Sequence, residues 1–340
     1  MSEQTPGSDK GSEDKWPTAA EPPGRSGRTR SRLNHWVNWR SLWLILLMST
    51  ILAFAILFGA TRPQNGTPVT APPTTASATP TPTVVPTPTA SLPPAPALPE
   101  LEAEVKRLES SFSVNLGIAV TPVGAADKAT AAPWHAGSLN TGEAWSTMDI
   151  PIAIAVLRQD RQPEDLDYLL TRALVEGSTA GDDALYSFLG SDQEAARKTM
   201  DVMRETGDYT TVIPTESPRQ GVSAHSQTLW SVSDQARFMA GAYCMTGSWP
   251  VLTKLDEISK DSAWGLSTIT RTQAKGGSGQ LANGNQLVRQ IGLLNVNGTR
   301  MGVGIAAIAI NGNEQSAIQA INELILQLPN QVAGLGIGRC

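Results

Sequence analysis

The stretch QLVRQIGLLNVNGTRMGVGIAAIAI, residues 286–310, sets the fold class. Strand character runs over Gln286–Asn295 and again over Thr299–Ile310, and the Val-Asn-Gly-Thr between them is a strong short hairpin signal. An antiparallel pair is therefore expected near the end of the chain. Strand character is also read at Gly265–Ala274, and Glu314–Leu328 follows the hairpin as a closing helix. Upstream, helical periods occupy Ala144–Arg158, Leu166–Val175, Asp183–Leu189, Asp192–Thr206 and Val232–Thr246. Before that block, Ser113–Val123 reads as a strand ended by Pro-Val-Gly, with a short partner near Ala132–Ala136. The folded part opens with an amphipathic helix that places Leu101, Val105 and Leu108 at helical spacing, with acidic residues in its first turn. The order of helix, two strands, helical block, three strands and helix predicts an α+β fold: an antiparallel sheet flanked by the terminal helices, plus a helical subdomain.

The first hundred residues differ in kind. Residues 1–40 read as a disordered basic arm: Ser2–Pro23 has almost no large apolar side chains to repay ordering, and Arg25, Arg28, Arg30, Arg32 and Arg40 follow, interleaved with Trp36 and Trp39. Residues 41–60 (SLWLILLMSTILAFAILFGA) are uncharged and, at ~1.5 Å per residue, long enough to cross a hydrocarbon core of ~30 Å as a helix. Arginines before the run and only Arg62 soon after it predict a cytoplasmic N-terminus. The long preceding region and the length of the run favour an uncleaved anchor over a signal peptide. Residues 61–99 are almost entirely Thr, Pro, Ala, Val and Ser, a composition that favours extended polyproline II and spans on the order of 100 Å. Residues 100–340 are then an extracytoplasmic domain on a stalk.

Within that domain three short motifs occur in order. They are Ala144-Trp145-Ser146-Thr147-Met148-Asp149 at a helix start, Gly181-Asp182-Asp183, and Lys275-Gly276-Gly277-Ser278-Gly279. Together they resemble the S-x-x-K, S-D-N and K-T-G motifs of the serine β-lactamase and penicillin-binding-protein superfamily, in particular its membrane-anchored or secreted actinobacterial members. The resemblance implies a β-lactamase/transpeptidase-like fold, with Ser146 as nucleophile and Lys275 orienting a substrate carboxylate. Asp182, Asp183, Gly276 and Gly277 are the implied binding residues, and no cofactor or metal is implied. It also favours a Cys244–Cys340 disulfide, the one pairing two cysteines allow outside the membrane.

The departures from those motifs bear on chemistry. A serine hydroxyl needs a base within hydrogen-bond reach, and the resemblance puts a lysine three residues on, where this chain has Asp149. A carboxylate with a pKa of ~3.9 is a poor base towards a hydroxyl unless burial raises it. Gly181 stands where the family has a proton-relaying serine, and Asp183 where it has an asparagine that can donate as well as accept. An ion pair between Asp149 and Lys275 across the cleft is expected. Taken singly, the same residues have plainer readings: Ser146 an N-cap, Lys275 a solvated strand-end lysine, Asp182 and Asp183 the start of a helix, and His225 a solvent-facing loop histidine.

A net charge of −5, with no basic cluster after Arg62, argues against nucleic acid as a partner. Three histidines and no C-x-x-C pair leave a structural zinc site without its usual ligand pattern. Three functions follow in order: a catalytically impaired pseudoenzyme that binds peptidoglycan or an envelope protein; an active serine hydrolase acylating on Ser146, opening a β-lactam or cleaving a peptidoglycan peptide; and a ligand-free envelope scaffold.

Overall fold

A computed structural model describes residues 92–340 apart from 125, 130 and 259–262. The arm at 1–40, the span at 41–60 and most of the stalk at 61–99 lie outside the described residues. Among those described, no helix is long and apolar enough to cross a membrane.

Five strands form one antiparallel sheet in the order β2-β1-β7-β6-β5, from β1 (Val114–Pro122), β2 (Trp134–Gly137), β5 (Gln273–Gln280), β6 (Gln286–Val296) and β7 (Thr299–Ala309). The β6–β7 hairpin closes on the pair Val296 and Thr299, with Asn297 at φ 50° and Gly298 at φ 84°. Two consecutive left-handed residues match the right-handed twist of the strands, which is why Asn-Gly signals this turn.

Strand β7 also shows how the sheet takes helices on both faces. Val303 and Ile305 belong to the core under the terminal helices α1 (Pro99–Phe112) and α8 (Glu314–Val332), with Leu101, Val105, Leu108, Ile321 and Leu324. The alternate positions Gly302 and Gly304 lie against α6 (Val232–Cys244). A Cβ on Gly302 would sit 2.2 Å from Ala236 O, and one on Gly304 2.4 Å from Val232 O, so the helix rests on bare backbone.

The helical subdomain has its own core, which includes Ile150, Ile152, Ile154, Leu174, Leu185 and Leu189. Its centre is α2 (Asp149–Leu157), buried from Asp149 through Val156. A helix apolar on all sides belongs inside a domain, and Pro151 in its first turn removes no intrahelical hydrogen bond. Around it stand α3 (Leu166–Leu170), continuing as a π turn over Thr171–Val175, α4 (Thr179–Phe188), α5 (Asp192–Glu205) and the short α7 (Trp249–Lys254). Helix α5 starts with a capping box between Ser191 and Glu194.

Two sequence readings of these elements need correction. Gly265–Ala274 is not a strand: Gly265–Thr268 form a 3₁₀ turn and β5 begins at Gln273. Gly265 at φ 54° and Arg271 at φ 63° are left-handed and interrupt extension, and the Gly265 N–H is tied to Asn322 on α8. Helix α4 starts four residues before Asp183, so Asp182 and Asp183 lie inside it rather than at its start. A two-stranded sheet of β3 (Thr141–Glu143) and β4 (Leu229–Ser231) was not anticipated, since three-residue strands carry too little alternation to read.

The buried Arg289 on β6 holds that small sheet. It donates to Gly142 O and Glu143 O at 2.7 Å each, to Trp230 O at 3.1 Å and to Gln235 Oε1 at 2.5 Å. Burial pushes its guanidinium down to about 9, which leaves it protonated at neutral pH. Cys244, the last residue of α6, is bonded to Cys340, with Cα atoms 5.1 Å apart. The expected disulfide is present.

Candidate functional site

Ser146 sits in a 3₁₀ turn, Trp145–Met148, that carries the chain from β3 into α2. No side chain caps this turn, so the N-cap reading of Ser146 does not hold. Trp145, immediately before it, has φ 48°, a conformation that costs a bulky side chain on the order of 1–3 kcal/mol. Packing of the ring maintains it. The ring lies against β5, where a Cβ at Gly279 would fall 2.3 Å from ring carbons. Arg219 stands 5.5 Å from the ring centroid and is itself paired with Glu143 at 2.6 Å.

Strand β5 approaches the same turn closely. A Cβ on Gly277 would lie 2.8 Å from Ser146 N, so only glycine permits this contact. Gly276, on the opposite side of the strand, leaves room for the Trp264 ring, which a Cβ would meet at 3.0 Å. Both predicted binding glycines thus serve close packing. Behind the turn a chain of hydrogen bonds fixes its position: Arg289 to Gln235, Gln235 to Thr147 Oγ1 at 2.9 Å, and Thr147 Oγ1 to Ala144 O at 2.6 Å.

Asp149, one turn along from Ser146, is paired with Lys275 Nζ at 3.2 Å. Their side chains are 1% and 4% exposed, so the expected pair exists and is sealed from solvent. Lys275 is not a solvated strand-end residue. Its ammonium also donates to Ala173 O at 2.8 Å, from the π turn that follows α3. Burial, the largest influence, pushes the Asp149 carboxyl well above the usual carboxylate range. The charge of Asp182 pushes the same way and the Lys275 ammonium pulls back. The short contact by itself suggests a depressed carboxylate. Complete burial with two carboxyls to one ammonium decides for the raised value.

Asp182 completes this buried group. Its Oδ2 lies 2.6 Å from His225 Nε2, and both residues are buried. His225 is therefore not solvent-facing: it occupies a 3₁₀ turn, His225–Gln227, and its ring lies 4.3 Å from that of Tyr186. The Tyr186 hydroxyl is pushed up to about 12, by burial first and then by the Asp192 and Asp182 charges. Asp183 is half exposed and accepts from Ser223 Oγ at 2.6 Å.

The second motif is displaced from its predicted setting. The resemblance puts S-D-N in a loop, whereas Gly181, Asp182 and Asp183 are helical. Gly181 is pressed against the preceding turn, where a Cβ would lie 2.7 Å from Arg172 Cβ. The residue at the loop-to-helix junction is Ser178, extended at φ −80°, ψ 118°, whose hydroxyl accepts from Arg172 at 2.9 Å. Sequence reasoning undervalued His225, because His225 and Asp182 are 43 residues apart with no spacing signature.

No protein-family profile matches the chain, and no curated protein does. Solved structures match it over the described domain. They include the TLA-3 extended-spectrum beta-lactamase, at 13% identity and TM-score 0.55, over 69% of this chain and 98% of that one. A class A beta-lactamase from Bacteroides cellulosilyticus matches at 13% identity and TM-score 0.53, over 69% and 99%. The beta-lactamase from Sphaerobacter thermophilus matches at 14% and 0.51, over 68% and 97%. Likeness at this identity establishes a serine β-lactamase-like fold and leaves activity to the residues of the site.

Proposed function

We propose that this β-lactamase-like domain is a catalytically impaired module of the cell envelope, held outside the membrane by the span at 41–60 and the stalk at 61–99, where it binds peptidoglycan or a partner protein. The buried Asp149–Lys275 pair carries the reading. The position that should hold a base for Ser146 holds an acid, and the lysine that should meet a substrate carboxylate already meets Asp149 and Ala173 O. Acylation would require breaking that pair, and separating a buried pair leaves a charge uncompensated at a cost of about 3–5 kcal/mol. The arginines at 25–40 and the uncharged run at 41–60 support the location.

One observation favours a serine hydrolase as the second reading. The strained Trp145 and the approach of Gly277 to Ser146 N retain a shaped backbone around the serine, the kind of place where an oxyanion site is built. Intact-mass measurement after incubation with a penicillin and, separately, a fluorophosphonate decides between the two. The expected result is an unmodified mass from folded protein, with muropeptides bound and not turned over. An adduct on Ser146 would transfer the conclusion to the hydrolase, and folded protein that binds neither muropeptides nor envelope proteins would leave the scaffold.

A further inference from the structure

One cluster lies beside the buried Asp149–Lys275 pair. Asp182 and Asp183, adjacent on α4, and His225 place one ligand atom each within 4.8 Å of one another. His225 Nε2 is 2.6 Å from Asp182 Oδ2 and 3.9 Å from Asp183 Oδ1. The histidine and Asp182 are buried, while the Asp183 side chain is 51% exposed, so the cluster is rooted in the core and reached from solvent on one side.

A second observation is independent of those contacts. Asp182 is more than nine-tenths buried, yet its Oδ1 has no hydrogen-bond donor among the described residues. Buried carboxylate oxygens are normally met by a donor or a cation.

We infer that Asp182, Asp183 and His225 bind one divalent transition-metal ion of the zinc type. An imidazole nitrogen with two carboxylate oxygens suits zinc, whereas calcium takes six to eight oxygens and magnesium keeps most of its waters. Tetrahedral bonds of about 2.0–2.2 Å put neighbouring donor atoms about 3.3 Å apart, between the two separations observed here. The ion takes the place of the proton between His225 Nε2 and Asp182 Oδ2, a small widening of that contact. Solvent beside Asp183 supplies the fourth position. Both cysteines are held in the disulfide, so no thiolate competes for the ion. The site stands whether or not Ser146 reacts.

The test uses the full-length chain in detergent, stripped with a chelator and titrated with zinc chloride by calorimetry, with the melting temperature followed in parallel. One ion per chain is expected, with a saturable rise in melting temperature and an affinity that falls as pH falls, because the ion displaces a proton. Asp183→Asn changes a half-exposed side chain, so it should melt like the parent without metal and bind zinc about tenfold or more weakly. His225→Ala should abolish binding. X-ray absorption of the loaded protein should show nitrogen and oxygen neighbours and no sulfur. Absence of saturable binding, or equal affinity in the parent and Asp183→Asn, would overturn the assignment and leave the cluster as a structural hydrogen bond.

Discussion

The two partners of the buried pair should not be equivalent when removed one at a time. Lys275→Met takes away the ammonium facing Asp149 and leaves Ala173 O without its donor, both at a site whose side chains are 4% exposed or less. Removing one member of such a pair costs about 3–5 kcal/mol. Asp149→Asn retains an acceptor for Lys275, and Asp182 remains nearby as a counter-charge. Its cost should be about 1 kcal/mol, that of exchanging a charged hydrogen bond for a neutral one. Urea denaturation of the compact unit Val85–Cys340 measures both, and in a domain of this size each kcal/mol moves Tm by about 2–4 °C. The pH dependence has a definite sign. The Asp149 carboxyl is raised in the folded state above its ordinary 3.8, so its contribution to stability is complete below that value and is lost as pH rises through the raised one. Asp149→Asn lacks this loss, so its deficit relative to the parent should shrink between pH 4 and neutrality. Equal costs for the two variants, or a deficit independent of pH, would refute the picture of an acid stranded by burial beside a second acid.

Two further outcomes follow from the framework. Replacing Cys244 and Cys340 together by Ser opens a loop with a sequence separation of 96, which chain-entropy reasoning values at about 4–5 kcal/mol, and the same loss should appear in the parent on adding a reductant. A Tm change under about 3 °C in both experiments would contradict it. Arg289→Met withdraws the guanidinium donors from three carbonyls and from Gln235 Oε1 in a buried setting and should cost at least about 3 kcal/mol, with Arg289→Lys recovering only part because a single ammonium cannot reproduce the guanidinium fork. A fully stable Arg289→Met would show that β3 and β4 hold their place without it.

The elements with a long period or a specific turn are legible along the chain. Leu101, Val105 and Leu108 marked α1, the apolar run after Asp149 marked α2, and Asn297-Gly298 marked the β6–β7 turn, because each signal arises from neighbours along the chain. The pairing of Asp149 with Lys275 was also within reach, since two motifs taken in order put an acid and a base on facing elements. Tertiary structure decided the rest. Residues 265–272 had strand composition but stay out of the sheet, interrupted by left-handed residues at Gly265 and Arg271 and tied to α8. Gly181, Asp182 and Asp183 are helical because α4 already begins at Thr179, with Gly181 packed on the turn before it. His225, read as solvated, is buried because α4 and the loop before β4 meet there, bringing Asp182 to it across 43 residues of chain. Periodicity reports which face of an element is apolar. It carries no information about which two faces meet, and the ionisable residues of this site owe their neighbours, burial and shifted titration to that meeting.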